Sequence, residues 1–211
     1  MDDQVKNRIY NEIGLELELF LLDENDVILE PMTYGFPSDE MGFLVEIRSE
    51  HSNNPHDVIR SLSILETINE LKASDMGFKL ICTDSKKVTP QFIDYITRKY
   101  HHAQFPNYTM NIYNHHESHH TGFKDGRATA GLHVHFSRRK INGIESTLVK
   151  LPTLEIVSKM DKKFRIYIAE VNRIPGEYEN KIHGFEYRSL PATSPIEEVV
   201  VNALKILEEI E

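Results

Sequence analysis

Four short stretches carry charged or imidazole side chains at positions i and i+2: Glu16/Glu18 in GLELEL, Glu46/Arg48 in VEIR, His133/His135 in LHVH and Glu186/Arg188 in FEYR. In a β-strand alternate side chains share a face, so each pair projects side by side. Carboxylates spaced this way stand about 6.5–7 Å apart, and each can reach a different divalent cation. Magnesium takes oxygen ligands and keeps waters while sharing substrate phosphates. Imidazole among the carboxylates moves the preference toward manganese or a mixed site. Arginine supplies a planar fork that matches phosphate or carboxylate and suits a transferring phosphoryl group. Any one pair is also what the solvent face of a half-buried strand looks like, and two imidazoles alone could hold zinc, meet a phosphate or simply pack. Four pairs gathered on one sheet face would make a concave surface of acids, imidazoles and guanidinia.

The pairs need strands beneath them. Ile13 to Leu22 sets Leu15, Leu17 and Leu19 against Glu16 and Glu18, and Phe43 to Arg48 sets Phe43, Val45 and Ile47 against Glu46 and Arg48. Thr129 to Ser137, Gly184 to Leu190 and Phe78 to Cys82 read as further strands. Asp23 to Asp26 is a turn, Val27 to Leu29 a hairpin return, and Pro31 to Gly42 a loop. Asn54 caps a helix with Pro55 at its first position; Val58, Leu62, Leu65, Ile68 and Leu71 give its apolar face, and Gly77 closes it. Helices are also expected over Pro90 to Tyr100 and over Glu145 to about Ile168, with a new start at Pro152. A last one runs from Pro195 to Ile210, with Ile196, Val199, Val200, Ala203, Leu204 and Leu207 on its apolar side. His101 to Arg127 loses periodicity and reads as a long loop with a short strand near Tyr108 to Tyr113, and Asn172 to Lys181 reads as loop. Interspersed strands and helices without repeat or linker predict one α+β domain over residues 1–211.

Composition narrows the chemistry. Forty percent hydrophobic and 27% charged residues describe an ordinary folded chain. A net charge of −9 argues against broad nucleic-acid binding, which needs a basic face, and suits carboxylates gathered around divalent cations. No apolar run approaches the roughly 18 residues of a membrane span, and the opening MDDQVKNRIYNE is too acidic for a signal peptide, so a cytoplasmic protein is expected. The single Cys82 excludes a disulfide framework or a cysteine-rich zinc site and reads as inert core.

The ordered motifs resemble a family. GLELELFLLD resembles the G-x-E-x-E-F-F-L opening of the glutamine synthetase and glutamate–cysteine ligase superfamily, AGLHVHFS its G-x-H-x-H strand, and FEYRSLP its closing E-x-R strand. RIPGEYENKIHGFEYRSL resembles the G-E-Y-R-x-K-x-x-G-x-E-Y-R-x-L signature of the phage-type carboxylate–amine ligases, the phiEco32-like amidoligase type 2 group. The likeness runs from about Ile13 to Thr193. It implies a glutamine synthetase-like catalytic domain: a curved, mainly antiparallel sheet, helices on one face and the active site on the concave face. It also implies an ATP-dependent ligase that joins a small-molecule or peptide carboxylate to an amine through an acyl phosphate, with Mg2+ or Mn2+. By this resemblance Glu16, Glu18, Glu46, His133 and Glu186 are metal ligands. His133, His135, Lys181 and Arg188 meet nucleotide, and Arg188 and Arg173 stabilise the transferring group. Glu177 is a further polar contact, and Glu46 or Glu50 could take the amine proton.

Two departures stand out: Glu179 replaces the arginine of GEYR, and the chain opens at the ExE strand. The second implies a site within one subunit, with homo-oligomers open. Eleven histidines are many, and eight lie between His101 and His135. In YNHHESHHTG, His116 and His120 have i, i+4 spacing that would suit zinc on a helix; a solvated or substrate-binding loop is the other reading. His51 and His56 flank a helix start and read as surface groups, and Lys86-Lys87 as turn charges. Alternatives to the ligase are a zinc-dependent hydrolase using the His/Glu cluster and an inactive relative that binds a nucleotide or peptide.

Overall fold

The computed structural model describes residues 6–39, 42–101, 109–113, 115–118, 123–142, 145–171 and 173–210. The chain begins with the long strand β1 (Lys6–Leu22), a 3-10 turn at Pro31–Tyr34 and β2 (Val45–Arg48). Helix α1 (Pro55–Asp75) leads to β3 (Lys79–Ile81), β4 (Ser85–Lys87) and α2 (Pro90–His101). Short strands β5 (Thr109–Ile112), β6 (His115–Ser118), β7 (Phe123–Lys124) and β8 (Arg127–Thr129) precede β9 (Gly131–Asn142) and β10 (Glu145–Leu148). Helix α3 (Thr153–Glu170), β11 (Glu177–Lys181), β12 (Gly184–Pro191) and α4 (Ile196–Glu208) complete the order.

Among the described residues, nine strands form one antiparallel sheet with the path β2-β1-β9-β12-β11-β5-β6, while β10 also pairs with β9 and β3 with β1. Strands β4, β8 and β7 make a smaller sheet. Alternation along β1 gives the large sheet two characters. Ile13, Leu15, Leu17 and Leu19 are buried with Val45, Ile47, Leu132, Val134, Phe136 and Tyr187. Against that apolar side lie Ile156, Val157, Met160 and Phe164 of α3 and Val199, Val200, Ala203 and Leu207 of α4. Each such side chain, fully buried, is worth about 1.5–3 kcal/mol, so this layer contributes a large share of the fold's stability. Two polar ties bind the helices there: Tyr187 donates to Asp161 of α3 at 2.7 Å, and the Asn11 amide donates to the Leu207 carbonyl of α4.

A bulge in β12 reconciles its sequence with this layering. Strict alternation would put Leu190 on the same face as Glu186 and Arg188. The pairing instead shifts between Tyr187↔Val134 and Leu190↔Leu132, which inserts one residue and turns Leu190 into the apolar layer, fully buried. Gly184 starts this strand at φ +152°, where an added Cβ would lie 2.0 Å from the Phe136 carbonyl oxygen, so glycine alone permits the close pairing.

Several expectations need correction. Glu177–Lys181 is a strand, because it pairs with both β12 and β5. Glu145–Leu148 is a strand paired with β9, and helix α3 begins only after Pro152. His116 lies in β6, paired with Asn111, so the helical spacing that suggested zinc does not apply; Tyr108, His119 and His120 lie outside the described residues. On α1 the Asn54 cap accepts from the His56 N–H as expected, and Val58 and Leu62 are buried. Leu65, Ile68 and Leu71 are exposed instead, because the buried face continues through Asn69 and Ala73. Cys82 is exposed at the end of β3, its thiol donating to the Ala192 carbonyl, and Lys86-Lys87 lies in β4.

Candidate metal and active site

Register decides which functional groups meet. Glu16 stands opposite Arg48 on one side and His133 on the other, and Glu18 stands opposite Glu46. His135 stands opposite Gly14 and Glu186. Directly opposed residues of an antiparallel pair share a face, so the four i, i+2 pairs converge on the face away from α3 and α4.

His133, almost fully buried, is the hub. Its Nδ1 lies 2.9 Å from both Glu16 Oε1 and Glu186 Oε1, and its Nε2 lies 3.8 Å from Glu18 Oε2. Glu18 is fixed from the other side, accepting the Gly131 N–H at 2.6 Å. Glu16 also accepts from Arg48 Nε at 2.9 Å and faces His135 Nε2 at 3.2 Å. Burial and the Arg188 charge oppose protonation of His133, but Glu18, Glu16 and Glu186 outweigh them and hold its pKa up to about 9. Burial likewise opposes the charge on Glu16 and Glu186. His133 with His135 keeps Glu16 well below the usual carboxylate range, and Arg188 with His133 does so for Glu186. Glu46 goes the other way: burial and the neighbouring Glu16 push it up to about 8, with Arg48 opposing. Three acids gathered around one buried imidazole mark a place where positive charge is in demand. The ligating atoms of Glu16, Glu18 and His133 all lie within 4.8 Å of one another, as do those of Glu16, His135 and Glu186. An oxygen-rich donor set of this kind fits a hard divalent cation with one imidazole.

Strands β11 and β12 place one cation each beside Glu186. Lys181 Nζ bridges Glu179 Oε2 and Glu186 Oε2, both at 2.8 Å. Arg188 donates to Glu186 and lies 3.7 Å from Glu179. The glutamate at position 179 therefore holds the two cations nearest Glu186. Glu177 is buried beside this group; burial pushes its carboxyl up, against the pull of Arg173 and Arg188.

Arg173 is used differently. Its buried guanidinium donates to the Ala130 carbonyl at 2.8 Å and the Arg188 carbonyl at 2.9 Å, bracing the β12 bulge against the start of β9. It also borders a cavity of about 440 Å3 lined by Asp84, Lys124, Asp125, Arg127 and Glu170 among others, a volume within the range of small-molecule pockets. Glu50 is exposed beyond the end of β2.

Two residues of this neighbourhood were not anticipated. After β2 the chain stays alongside β1, with Ser52 and Ile13 exchanging backbone hydrogen bonds at 2.9 and 3.0 Å, so His51, a surface group as expected, lays its ring over Gly14. His183 sits in the turn joining β11 to β12 and folds toward His135. The KIHG turn is visible inside the E-x-R signature, but only the register of β9 against β12 brings its histidine to His135.

The fold and site together define an α+β domain with a candidate metal centre on its antiparallel sheet. Compared with protein-family models, curated proteins and solved structures, the chain matches none of them. Its function is therefore argued from its own side chains.

Proposed function

We propose that the chain is an ATP-dependent carboxylate–amine ligase with a glutamine synthetase-like fold, forming an amide bond through an acyl phosphate. The observation that carries this reading is the convergence of Glu16, Glu18, Glu46, His133 and Glu186 with Arg188, Lys181 and Arg48 on one sheet face. Glu16, Glu18, His133 and Glu186, with Glu46 beside them, would hold Mg2+ or Mn2+. The ion would screen the negative charge of nucleotide phosphates and an incoming carboxylate. Arg188 and Lys181 lie where developing phosphoryl charge would need fixed cations. His135 completes the wall beside Glu16, and Arg173 acts indirectly by holding the Arg188 backbone. Glu46, a largely buried carboxylate opposite Glu18, is better placed to take the amine proton than Glu50, which is exposed beyond the end of β2. The small-molecule cavity beside Arg173 gives room for one substrate.

The test is product formation. The purified protein with Mg-ATP should release ADP and phosphate only when pools of both carboxylates and amines are present, and mass spectrometry should find the condensed amide. Failure of nucleotide to bind, or phosphate release indifferent to the amine, would overturn the ligase reading. Glu16→Gln should lower the rate at least about 100-fold, the scale on which one transition-state charge contact acts; an unchanged rate would remove Glu16 from the site.

A further inference from the structure

We infer that His51, His135 and His183 form a second metal site, for a borderline transition-metal ion of the Zn2+ class, adjoining the oxygen-rich cluster around His133 through the shared His135. One nitrogen from each ring lies within 4.8 Å of the other two. The ring centroids form a nearly equilateral triangle, 5.7 Å from His51 to His135, 5.2 Å from His51 to His183 and 5.4 Å from His135 to His183. The planes are inclined at 42°, 79° and 38°, so the rings are tilted against one another rather than stacked. His135 Nδ1 and His183 Nε2 are 3.3 Å apart. Two nitrogens each about 2.05 Å from a tetrahedral zinc stand roughly 3.3 Å from one another, so this edge has the length a bound ion requires.

The second nitrogen of His135 is also accounted for. Its Nε2 faces Glu16 Oε2 at 3.2 Å, and an N–H there donating to the carboxylate leaves Nδ1 as the lone-pair donor. A carboxylate behind a histidine is the usual way a metal-ligating imidazole is oriented and made more basic. The three ligands come from the segment after β2, from β9 and from the β11–β12 turn, which the sheet brings together. Gly14 makes room for them: a Cβ there would lie 2.3 Å from His51 Cδ2. His51 and His183 keep part of their surface open to solvent, which gives an ion a way in.

Ligand chemistry separates the two sites. Three imidazoles without a carboxylate in the donor set are poor ligands for Mg2+ and good ones for Zn2+, Co2+ or Ni2+. Three protein ligands leave a fourth position for water or a substrate atom, as in reactive rather than purely structural zinc sites. The proposal does not depend on the ligase reading.

Co2+ is the probe, because a tetrahedral Co2+ centre absorbs in the visible. Titrated into metal-free protein in the presence of millimolar Mg2+, it should bind one ion per chain with tetrahedral d–d bands, and Zn2+ should displace it. His183→Ala and His51→Ala should each weaken binding beyond the roughly 10- to 100-fold cost of a second-shell change, with circular dichroism confirming the fold. Gly14→Ala should weaken it while removing no ligand. Absence of stoichiometric Co2+ binding in the wild type overturns the site, and so does undiminished binding in the His51→Ala/His183→Ala double variant. Nucleotide binding measured on the same wild-type sample reports on the ligase reading separately.

Discussion

At residue 179, where the proposed ligase reading would favour a cation, stands a glutamate with a local consequence. Glu179 accepts from Lys181 at 2.8 Å and lies 3.7 Å from Arg188, so two cations that could meet phosphate are partly neutralised. Glu179→Gln should release them. The pair is half-buried, so the gain is about 1 kcal/mol, or ~5-fold tighter Mg-ATP binding by calorimetry; weaker binding would show that Glu179 belongs to the binding set. On the other face Asp161 accepts from Tyr187 at 2.7 Å and from Tyr113. Tyr187→Phe strips one donor from this buried carboxylate and should cost about 1–3 kcal/mol in urea unfolding. The amide formation proposed above should be nearly unchanged, because that pair lies in the apolar layer.

At the scale of elements, the pairing of β12 with β9 is the joint on which both proposed metal sites depend. It sets Glu186 and His183 against His135, and its bulge keeps Arg188 on the polar face while Leu190 turns inward. Gly184→Ala would force a side chain into the Phe136 carbonyl at a backbone angle that disfavours any Cβ. The expected loss is about 3 kcal/mol or more, read as a lower urea midpoint, together with loss of the Co2+ bands. Helix α1 teaches a different lesson. It carries apolar residues around much of its circumference, and contact with β1, β2, β3 and α4 selects Val58, Leu62 and Ala73 for burial, leaving Ile64, Leu65, Ile68 and Leu71 outside.

At the scale of the whole molecule, the sheet divides labour between its faces. One side is a hydrophobic layer under α3 and α4, and the other concentrates charge at a density that folding alone does not favour. Neutralising it with a bound cation should stabilise the native state. Mg2+ at 100 times its dissociation constant should add about 2.7 kcal/mol, raising the melting temperature by roughly 5–11 °C for a chain of this size. Glu18→Gln should lose most of that shift; a variant that keeps it would place the ion elsewhere.

The sequence by itself determined the strands that carry Glu16/Glu18, Glu46/Arg48, His133/His135 and Glu186/Arg188, because period-two alternation is a local property. It also determined the Asn54-Pro55 helix start and the apolar side of α4, which depend on adjacent residues. The sequence could not determine neighbours. That β1 lies between β2 and β9, that His133 meets Glu16 and Glu186 at once, and that β11 is a strand depend on hydrogen bonds between segments far apart in the chain. His51 and His183 were illegible for the same reason: nothing local marks either residue. Only packing across Gly14 and the register of β12 turn a loop histidine and a turn histidine into companions of His135.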